Sequence, residues 1–190
     1  ICIFIIFLSC PWTIPSTALN TNIITMHEET GKTSEPMSLY FYKPKNWTPE
    51  RPVFVILHGV LRNGSDYCNK LQEGANTHNI LIIAPEFTED KYPGAAYYSL
   101  AHMVDHISQG NVNTPSSWTF SALNNIATSI RNKFQATGPI FLFGHSAGAQ
   151  LVSRYALFGD TSPYTQLIIA NAVWYTVTDK VLRFSPEDLA

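Results

Sequence analysis

The sequence predicts an α/β protein with a doubly wound, mostly parallel sheet, and two patterns along its 190 residues indicate this class. Four short apolar runs lack polar alternation, which is typical of strands buried on both faces of a parallel sheet. They cover residues 53–57, 80–84, 140–143 and 167–170. Helical patterns lie between these runs, and strand–helix alternation predicts right-handed crossovers with helices on both faces of the sheet.

The segments between the apolar runs carry capping and stop signals. Residues 38–42 predict an edge or antiparallel strand, because Pro44 follows them and proline cannot donate a ladder hydrogen bond. The stretch 86–115 has little periodicity and predicts a long excursion with one short helix over 100–107. Serine caps, apolar stripes and a glycine stop predict three helices, over residues 65–75, 116–134 and 147–159.

The composition excludes several classes of protein. Hydrophobic residues make up 45% and charged residues 14%, which excludes a disordered chain. The net charge is −2 and no basic block occurs, so we expect no nucleic-acid partner. The three cysteines, Cys2, Cys10 and Cys68, cannot build a disulfide framework. The sequence contains no Cys-x-x-Cys pair, so a structural zinc site is not supported. No cofactor is implied.

The two ends of the sequence suggest export and truncation. The apolar run 1–8 is shorter than the roughly 20 residues of a membrane-spanning helix, but it matches the hydrophobic region of a signal peptide. We therefore expect a signal peptide over 1–18, a linker over 19–36 and a catalytic domain over 37–190, in a secreted or periplasmic protein. A lipoprotein anchored at Cys10 is the alternative. The missing initiator Met and a helix start just before Ala190 suggest truncation at both ends.

Residues 144–148 read Gly-His-Ser-Ala-Gly, the G-x-S-x-G pattern, between an apolar run and an amphipathic helix. This strand–turn–helix setting is that of a nucleophile elbow, in which a strained turn exposes the serine hydroxyl above the sheet. Side chains at 144 and 148 would collide with the neighbouring helix or strand. The sequence therefore predicts Ser146 as a nucleophile.

Acyl transfer also needs preorganised N–H groups facing the negative oxygen of the tetrahedral intermediate. The backbone of Ala147, directly after the nucleophile, is predicted to supply one. His-Gly-Val at 58–60 follows an earlier strand, and we predict the Val60 N–H as the second donor, with Gly59 as the alternative. His58 and His145 are interpreted as structural, with the His145 side chain pointing away from the site.

On these motifs the chain resembles a serine esterase of the α/β-hydrolase superfamily, most closely polyhydroxybutyrate-depolymerase-like and related secreted carboxylesterases. The resemblance extends over about residues 52–176, through the segments 57–60, 62–63, 84–87, 97–100, 144–148 and 170–176. It implies an α/β-hydrolase type of sheet, which in this chain would lack its C-terminal strands. It also implies a small-molecule or polymeric ester substrate. The short apolar run 1–8 predicts no stable membrane span.

The partners of the serine are harder to place. In this fold the catalytic order is serine, acid, histidine, and none of the six histidines follows Ser146. We therefore expect the base beyond Ala190. The acid is expected beyond it too, with Asp179, a few residues after the fourth apolar run, as the candidate inside this chain.

Lesser signals suggest where a substrate pocket could lie. Asn63 and Glu86 follow strand ends, where α/β sheets bind ligands. Tyr97 and Tyr98 are candidates for the pocket, with core packing as the equal alternative. His102 and His106 share one helical face, but no third ligand is evident, so we predict no metal site there.

Three functions remain open. The first is an exported serine hydrolase that cleaves a carboxylic ester through an acyl-enzyme on Ser146. The second is a serine peptidase or amidase on the same fold, because nothing in the elbow separates esters from amides. The third is a catalytically inactive α/β-hydrolase that acts as a binding module.

The expected position of the base leads to a first prediction. The 190 residues alone should neither hydrolyse p-nitrophenyl esters nor react rapidly with a fluorophosphonate probe, since a serine without a base is a poor nucleophile. The extent of labelling, measured by mass spectrometry, tests this. Rapid stoichiometric labelling of Ser146 would show that a base lies within these residues.

Overall fold

The computed structural model describes residues 21–105 and 111–176, which build one six-stranded mixed sheet with helices on both faces. The strand order across the sheet is β1-β2-β4-β3-β5-β6. The strands are β1 Asn22–Met26, β2 Met37–Tyr42, β3 Val53–Leu57, β4 Leu81–Pro85, β5 Ile140–His145 and β6 Gln166–Ala170. The four apolar runs of the sequence form β3, β4, β5 and β6. The fold class predicted from them is confirmed.

The last four strands run parallel, and their register fixes where a site can form. Leu57 of β3 lies opposite Gly144 of β5, and His145 of β5 lies opposite Ala170 of β6. The carboxyl ends of β3, β5 and β6 therefore meet at one edge of the sheet. Open α/β sheets bind ligands outside such an edge.

The first two strands correct the predicted domain boundary. The sequence predicts a linker over 19–36, but Asn22–Met26 forms β1 and pairs antiparallel with β2. Strand β2 is antiparallel as predicted and lies inside the sheet, between β1 and β4. The linker prediction failed because β1 is a five-residue edge strand with three exposed residues, a weak local signal. Main-chain pairing with β2 and the burial of Met26 in the larger core hold it in place.

The helices are α1 Gly64–Lys70, α2 Gln72–His78, α3 Gly94–Tyr97, α4 Phe120–Phe134 and α5 Ala147–Phe158, with a short 3₁₀ helix at Pro115–Ser117. The predicted helix over 65–75 is two helices, which meet at Leu71. The predicted helix over 100–107 is wrong for the described residues 100–105. The helical turn is α3, and the positive φ angles of Ala101 and His102, 57° and 53°, prevent a right-handed helix there.

Alternate strand residues enter two cores, one on each face of the sheet. The larger core joins Val53, Val55 and Leu57 of β3 to the buried faces of α4 and α5. The smaller core joins Ile56 of β3 to Cys68 of α1 and Ala75 of α2. Because both faces are covered, the central strands are apolar throughout, as the sequence shows.

Within residues 21–105 and 111–176, no helix is long and apolar enough to span a bilayer. The predicted signal peptide over 1–18 and the alternative anchor Cys10 lie outside the described residues.

Candidate active site

Ser146 lies at the sharp turn between β5 and α5, at the edge where the parallel strands end. Its φ and ψ angles are 54° and −115°, a conformation that L-residues rarely adopt. The Ser146 N–H donates to the Ala170 carbonyl at 3.1 Å, which ties the turn to the end of β6. The residue is partly exposed, so the turn presents the serine at the surface of the described structure.

The two glycines of the motif allow the backbone to pass where no side chain has room. A Cβ at Gly144 would lie 2.4 Å from the Gly148 carbonyl oxygen. A Cβ at Gly148 would lie 2.7 Å from both the His58 carbonyl oxygen and the Leu57 Cβ. The Gly148 N–H donates to the His58 carbonyl at 3.1 Å. The helix start and the end of β3 are therefore in direct backbone contact, as the motif predicts.

The loop after β3 lies beside the serine. A methyl group on Gly59 would lie 3.5 Å from Ser146 Cβ, an ordinary van der Waals distance. Val60 follows in the turn, and its side chain is 69% exposed. On the other side, Ala147 is the first residue of α5, where a backbone N–H has no acceptor within its own helix. The two predicted oxyanion donors thus belong to adjoining segments at Ser146.

His58 is fully buried and hydrogen-bonds to the loop of Gly59 and Val60. The Phe87 N–H donates to His58 Nε2 at 3.0 Å, so the ring proton is on Nδ1, which donates to the Gly59 carbonyl at 2.9 Å. Burial lowers the pKa of His58 to about 4, with a smaller contribution from the Arg62 charge. His58 is thus a neutral imidazole with both nitrogens engaged, consistent with the structural role predicted for it.

Two further side chains support the same loop. The Tyr98 hydroxyl donates to the His58 carbonyl at 2.6 Å. Arg62 donates to the carbonyls of Phe87, Tyr92 and Gly94, and its guanidinium lies 4.3 Å from the centre of the Tyr98 ring. Tyr98 is fully buried, so of its two predicted roles the structure corrects the pocket role to core packing.

The other predicted pocket residues bond to different partners. Asn63 precedes α1 and donates to the Asp66 carboxylate at 2.9 Å. Glu86 accepts a hydrogen bond from the Tyr40 hydroxyl at 3.1 Å. Tyr97 stacks on His102 with ring centres 4.0 Å apart, and His102 contacts Asp105 and the Ser117 carbonyl. These bonds engage both nitrogens of His102.

Asp179 and His106 lie outside the described residues, so the candidate acid and the expectation of no metal site at His102 and His106 stay sequence predictions. Across the described part of the chain, no group of three or more His, Cys, Asp or Glu side chains is arranged to hold a metal ion. The described residues thus offer no ready metal centre at the elbow.

Sequence reasoning missed one pair of side chains at this edge. The Tyr67 hydroxyl lies 2.6 Å from His145 Nδ1, although the sequence interpretation turned the His145 side chain away from the site. His145 Nδ1 is 3.8 Å from the position of a methyl group on Gly59. Tyr67 lies 78 positions earlier in the chain, and no local pattern signals such a contact.

Exposed apolar side chains lie on both sides of the serine. Val60 and Leu61 follow β3, while Val173, Trp174 and Tyr175 follow β6. Because β5 lies between β3 and β6, these two groups flank the elbow. A polar cleft of about 670 Å³ lies elsewhere, between α4 and residues 27–31, and no elbow residue lines it. Exposed apolar side chains, rather than this cleft, therefore lie on either side of the elbow.

Solved structures with similar backbones place this geometry in a known fold. LpqC, a poly(3-hydroxybutyrate) depolymerase from Bordetella parapertussis, matches with a TM-score of 0.77 and 34% identity, over 87% of this chain and 56% of that one. The chain has the α/β-hydrolase fold. Poly(aspartic acid) hydrolase-1 from Sphingomonas sp. KT-1 matches with a TM-score of 0.76 and 25% identity, over 86% of this chain and 61% of that one. The resemblance predicted from the sequence is confirmed.

Other comparisons set the limits of this assignment. S-formylglutathione hydrolase FrmB from Staphylococcus aureus has a TM-score of 0.58 at 14% identity, over 82% of this chain and 59% of that one, and supports the α/β-hydrolase fold alone. The chain spans 56% and 61% of the lengths of the first two structures. No family model and no curated protein sequence matches the chain.

The strain at Ser146 leads to a prediction about stability. Ser146→Gly and Ser146→Ala both remove the hydroxyl, but only glycine adopts a φ of 54° without steric cost. We expect the glycine variant to be the more stable of the two by about 1 kcal/mol. Urea unfolding of both variants of the full-length protein measures the difference. Equal stabilities, or a more stable alanine variant, would show that the turn is not strained.

The buried His58 leads to a prediction about pH. Its pKa rises from about 4 in the folded protein to about 6.5 on unfolding, so between these values the unfolded chain binds the extra proton and stability falls as the pH falls. We expect a loss of about 2 kcal/mol between pH 7 and pH 5 from this residue. Urea unfolding at both pH values should show a smaller loss in His58→Gln, whose amide can keep both hydrogen bonds. An unchanged loss in that variant would contradict the assignment.

Proposed function

We propose that the protein is an exported serine hydrolase that cleaves a carboxylic ester through an acyl-enzyme on Ser146. The single observation that carries this proposal is the strained, partly exposed Ser146 between the ends of β3 and β6. Strain of this kind persists only where the surrounding structure enforces it, and it is common at active sites. Export depends on the predicted signal peptide over residues 1–18.

The proposed reaction begins with attack of Ser146 Oγ on the ester carbonyl carbon. The Oγ proton passes to a histidine, and the carbonyl oxygen becomes an oxyanion held by the Val60 and Ala147 N–H groups. The bond to the alcohol oxygen then breaks, and the alcohol leaves with the proton. Water, activated by the same base, releases the carboxylic acid and restores Ser146.

The proposal places the base after Ser146 in the chain, and hence beyond Ala190. His58 cannot serve, because Phe87 and Gly59 engage its two ring nitrogens. His145 Nδ1 is already bonded to Tyr67. The acid that orients the base is proposed beyond Ala190 as well, with Asp179 as the candidate within the chain.

The surroundings of the serine favour a neutral, apolar ester. Leu61 and Val173 are 79% and 71% exposed on opposite sides of the elbow. Arg62, the cation nearest in sequence to Gly59, is engaged with backbone carbonyls and with Glu89 at 3.1 Å. An acyl chain or a polyester segment would bury this apolar surface, whereas a polyanion would find the Arg62 charge already engaged.

Amide hydrolysis is the second candidate, and one comparison favours it. The name of the Sphingomonas protein refers to poly(aspartic acid), a polymer whose residues are joined by amide bonds. An amide needs protonation of its leaving amine, which the base histidine would supply as a general acid. The elbow itself serves both reactions equally.

Substitution of the serine tests the proposal. In the full-length protein, Ser146→Ala should lower kcat/KM for p-nitrophenyl esters by at least about a thousandfold, because it removes the nucleophile. Ser121→Ala, which removes an exposed serine on α4, should retain the wild-type rate. Activity is followed with p-nitrophenyl esters of increasing acyl length and with aminoacyl anilides.

The outcomes separate the candidate functions. Faster turnover of the anilides than of the esters would favour the amidase. Absence of any Ser146-dependent hydrolysis or fluorophosphonate labelling in the full-length protein would favour a binding module. Retention of ester hydrolysis in Ser146→Ala would exclude this serine as the nucleophile.

A further inference from the structure

The hydrogen-bonded pair of Tyr67 and His145 has no role in the proposed acyl transfer, although His145 directly precedes Ser146. The two ring centres are 5.8 Å apart, and the hydroxyl oxygen and Nδ1 are 2.6 Å apart. Strand alternation explains the contact, because His145 shares a face of β5 with Phe143, which packs on the α1 side of the sheet. Helix α1 thereby brings a hydroxyl group to the carboxyl end of β5.

The same small space is bordered by the nucleophile and by this pair. A methyl group on Gly59 would lie 3.5 Å from Ser146 Cβ, 3.5 Å from the Tyr67 hydroxyl oxygen and 3.8 Å from His145 Nδ1. These contacts come from two separate parts of the fold, the elbow at the end of β5 and helix α1. Since the loop of Gly59 and Val60 is the proposed oxyanion loop, the Tyr67 hydroxyl lies next to the place where negative charge would develop.

The hydrogen bond between Tyr67 and His145 can run in either direction, depending on which ring nitrogen of His145 carries the proton. If His145 carries its proton on Nε2, the Tyr67 hydroxyl donates to Nδ1. If His145 carries its proton on Nδ1, it donates to the Tyr67 oxygen, and the hydroxyl proton is free to turn towards another acceptor. Only the second arrangement leaves the hydroxyl proton available to a developing oxyanion, which is a strong acceptor, so the scheme uses the tautomer with the proton on Nδ1.

We infer that Tyr67 donates a third hydrogen bond to the oxyanion, beside those of Val60 and Ala147, and that His145 is the positioning residue that holds its hydroxyl. This inference rests on the proposed function, since it needs acyl transfer at Ser146. Tyr67 contacts the intermediate and is therefore a catalytic residue in this scheme. No bond to hydrogen breaks in this step: His145 keeps its proton on Nδ1 and donates it to the Tyr67 oxygen throughout, and only the hydroxyl proton turns to the oxyanion.

The alternative is that the pair only fastens α1 to β5. A fastening role predicts a loss of stability when the hydroxyl is removed, with no change in the chemical step. An oxyanion donor predicts a slower chemical step when the hydroxyl is removed, because the hydrogen bond from Tyr67 to the oxyanion strengthens only when the charge develops. The two roles therefore differ in which measurement changes.

Tyr67→Phe in the full-length protein separates them, with Tyr42→Phe as the matched control. The Tyr42 hydroxyl donates to Asn76 at 2.9 Å and its ring packs against the same core as Tyr67, in a strand that does not reach the elbow. We expect Tyr67→Phe to lower kcat for p-nitrophenyl esters by about tenfold to a hundredfold, with KM within about threefold of wild type. The affinity for phenylboronic acid, which forms a tetrahedral adduct with the serine, should fall in parallel. Tyr42→Phe should change neither.

A double-variant cycle tests the role of His145. Because His145 acts through the Tyr67 hydroxyl, His145→Leu should lower kcat in the wild-type background and have no further effect in Tyr67→Phe. His145→Asn, which keeps an N–H near the Nδ1 position, should restore part of the loss. Multiplicative effects of the two substitutions would contradict the coupling.

Failure of this inference is distinguishable from failure of the proposed function. If Ser146→Ala abolishes hydrolysis while Tyr67→Phe keeps wild-type kcat and boronate affinity, only the third donor is excluded. A Tyr67→Phe variant that loses stability in urea but keeps kcat would assign the pair the fastening role. If Ser146→Ala keeps full activity, the proposed function itself is wrong.

Discussion

The contact between the start of α5 and the end of β3 is the constraint on which this edge of the molecule depends. Gly148 donates its N–H to the His58 carbonyl at 3.1 Å, and a Cβ at 148 would lie 2.7 Å from that oxygen. Only glycine permits two backbones to approach so closely. This contact brings the Gly59 loop beside Ser146 and leaves the turn between Gly144 and Gly148 too tight for relaxed angles. The backbone contact between Gly148 and His58 thus accounts both for the exposure of Ser146 and for its closeness to the Gly59 loop.

Much of this arrangement could be predicted from the sequence, because it arises from local patterns. An apolar run that ends in Gly-x-Ser-x-Gly predicts both the strand and the strained turn, and the structure places β5 and Ser146 accordingly. A second run that ends in His-Gly predicts a loop at the same edge, since parallel strands align their carboxyl ends. Leu57 and Gly144 lie in register as this reasoning requires. The elbow could be predicted because its tight turn requires glycine on both sides of the serine, at fixed spacing in the sequence.

The rest could not be predicted, because it depends on contacts between distant segments. Strand β1 has only a short apolar stretch, and its place is decided by main-chain pairing with β2 and by the burial of Met26 in the larger core. Tyr97 ends α3 and Tyr98 follows it directly, yet the Tyr98 ring is buried against His58 and the Tyr97 ring is partly buried against His102. Whether a tyrosine lines a pocket or fills a core is decided by its neighbours in space. The pair of Tyr67 and His145 is the extreme case, since two distant residues meet through the packing of α1 on the sheet.

The buried groups beneath the loop show how the fold would limit motion at the site. His58 bonds both Phe87 and Gly59, the Tyr98 hydroxyl bonds the His58 carbonyl, and Arg62 bonds three carbonyls of the segment 87–94. Donors that stabilise a developing charge are effective when they need no reorganisation at the moment of reaction. A neutral imidazole suits this position better than a cation, because an unpaired charge buried there would cost more than its hydrogen bonds return. The depressed pKa of His58 is therefore a consequence of the same burial that keeps the Gly59 loop rigid beside Ser146.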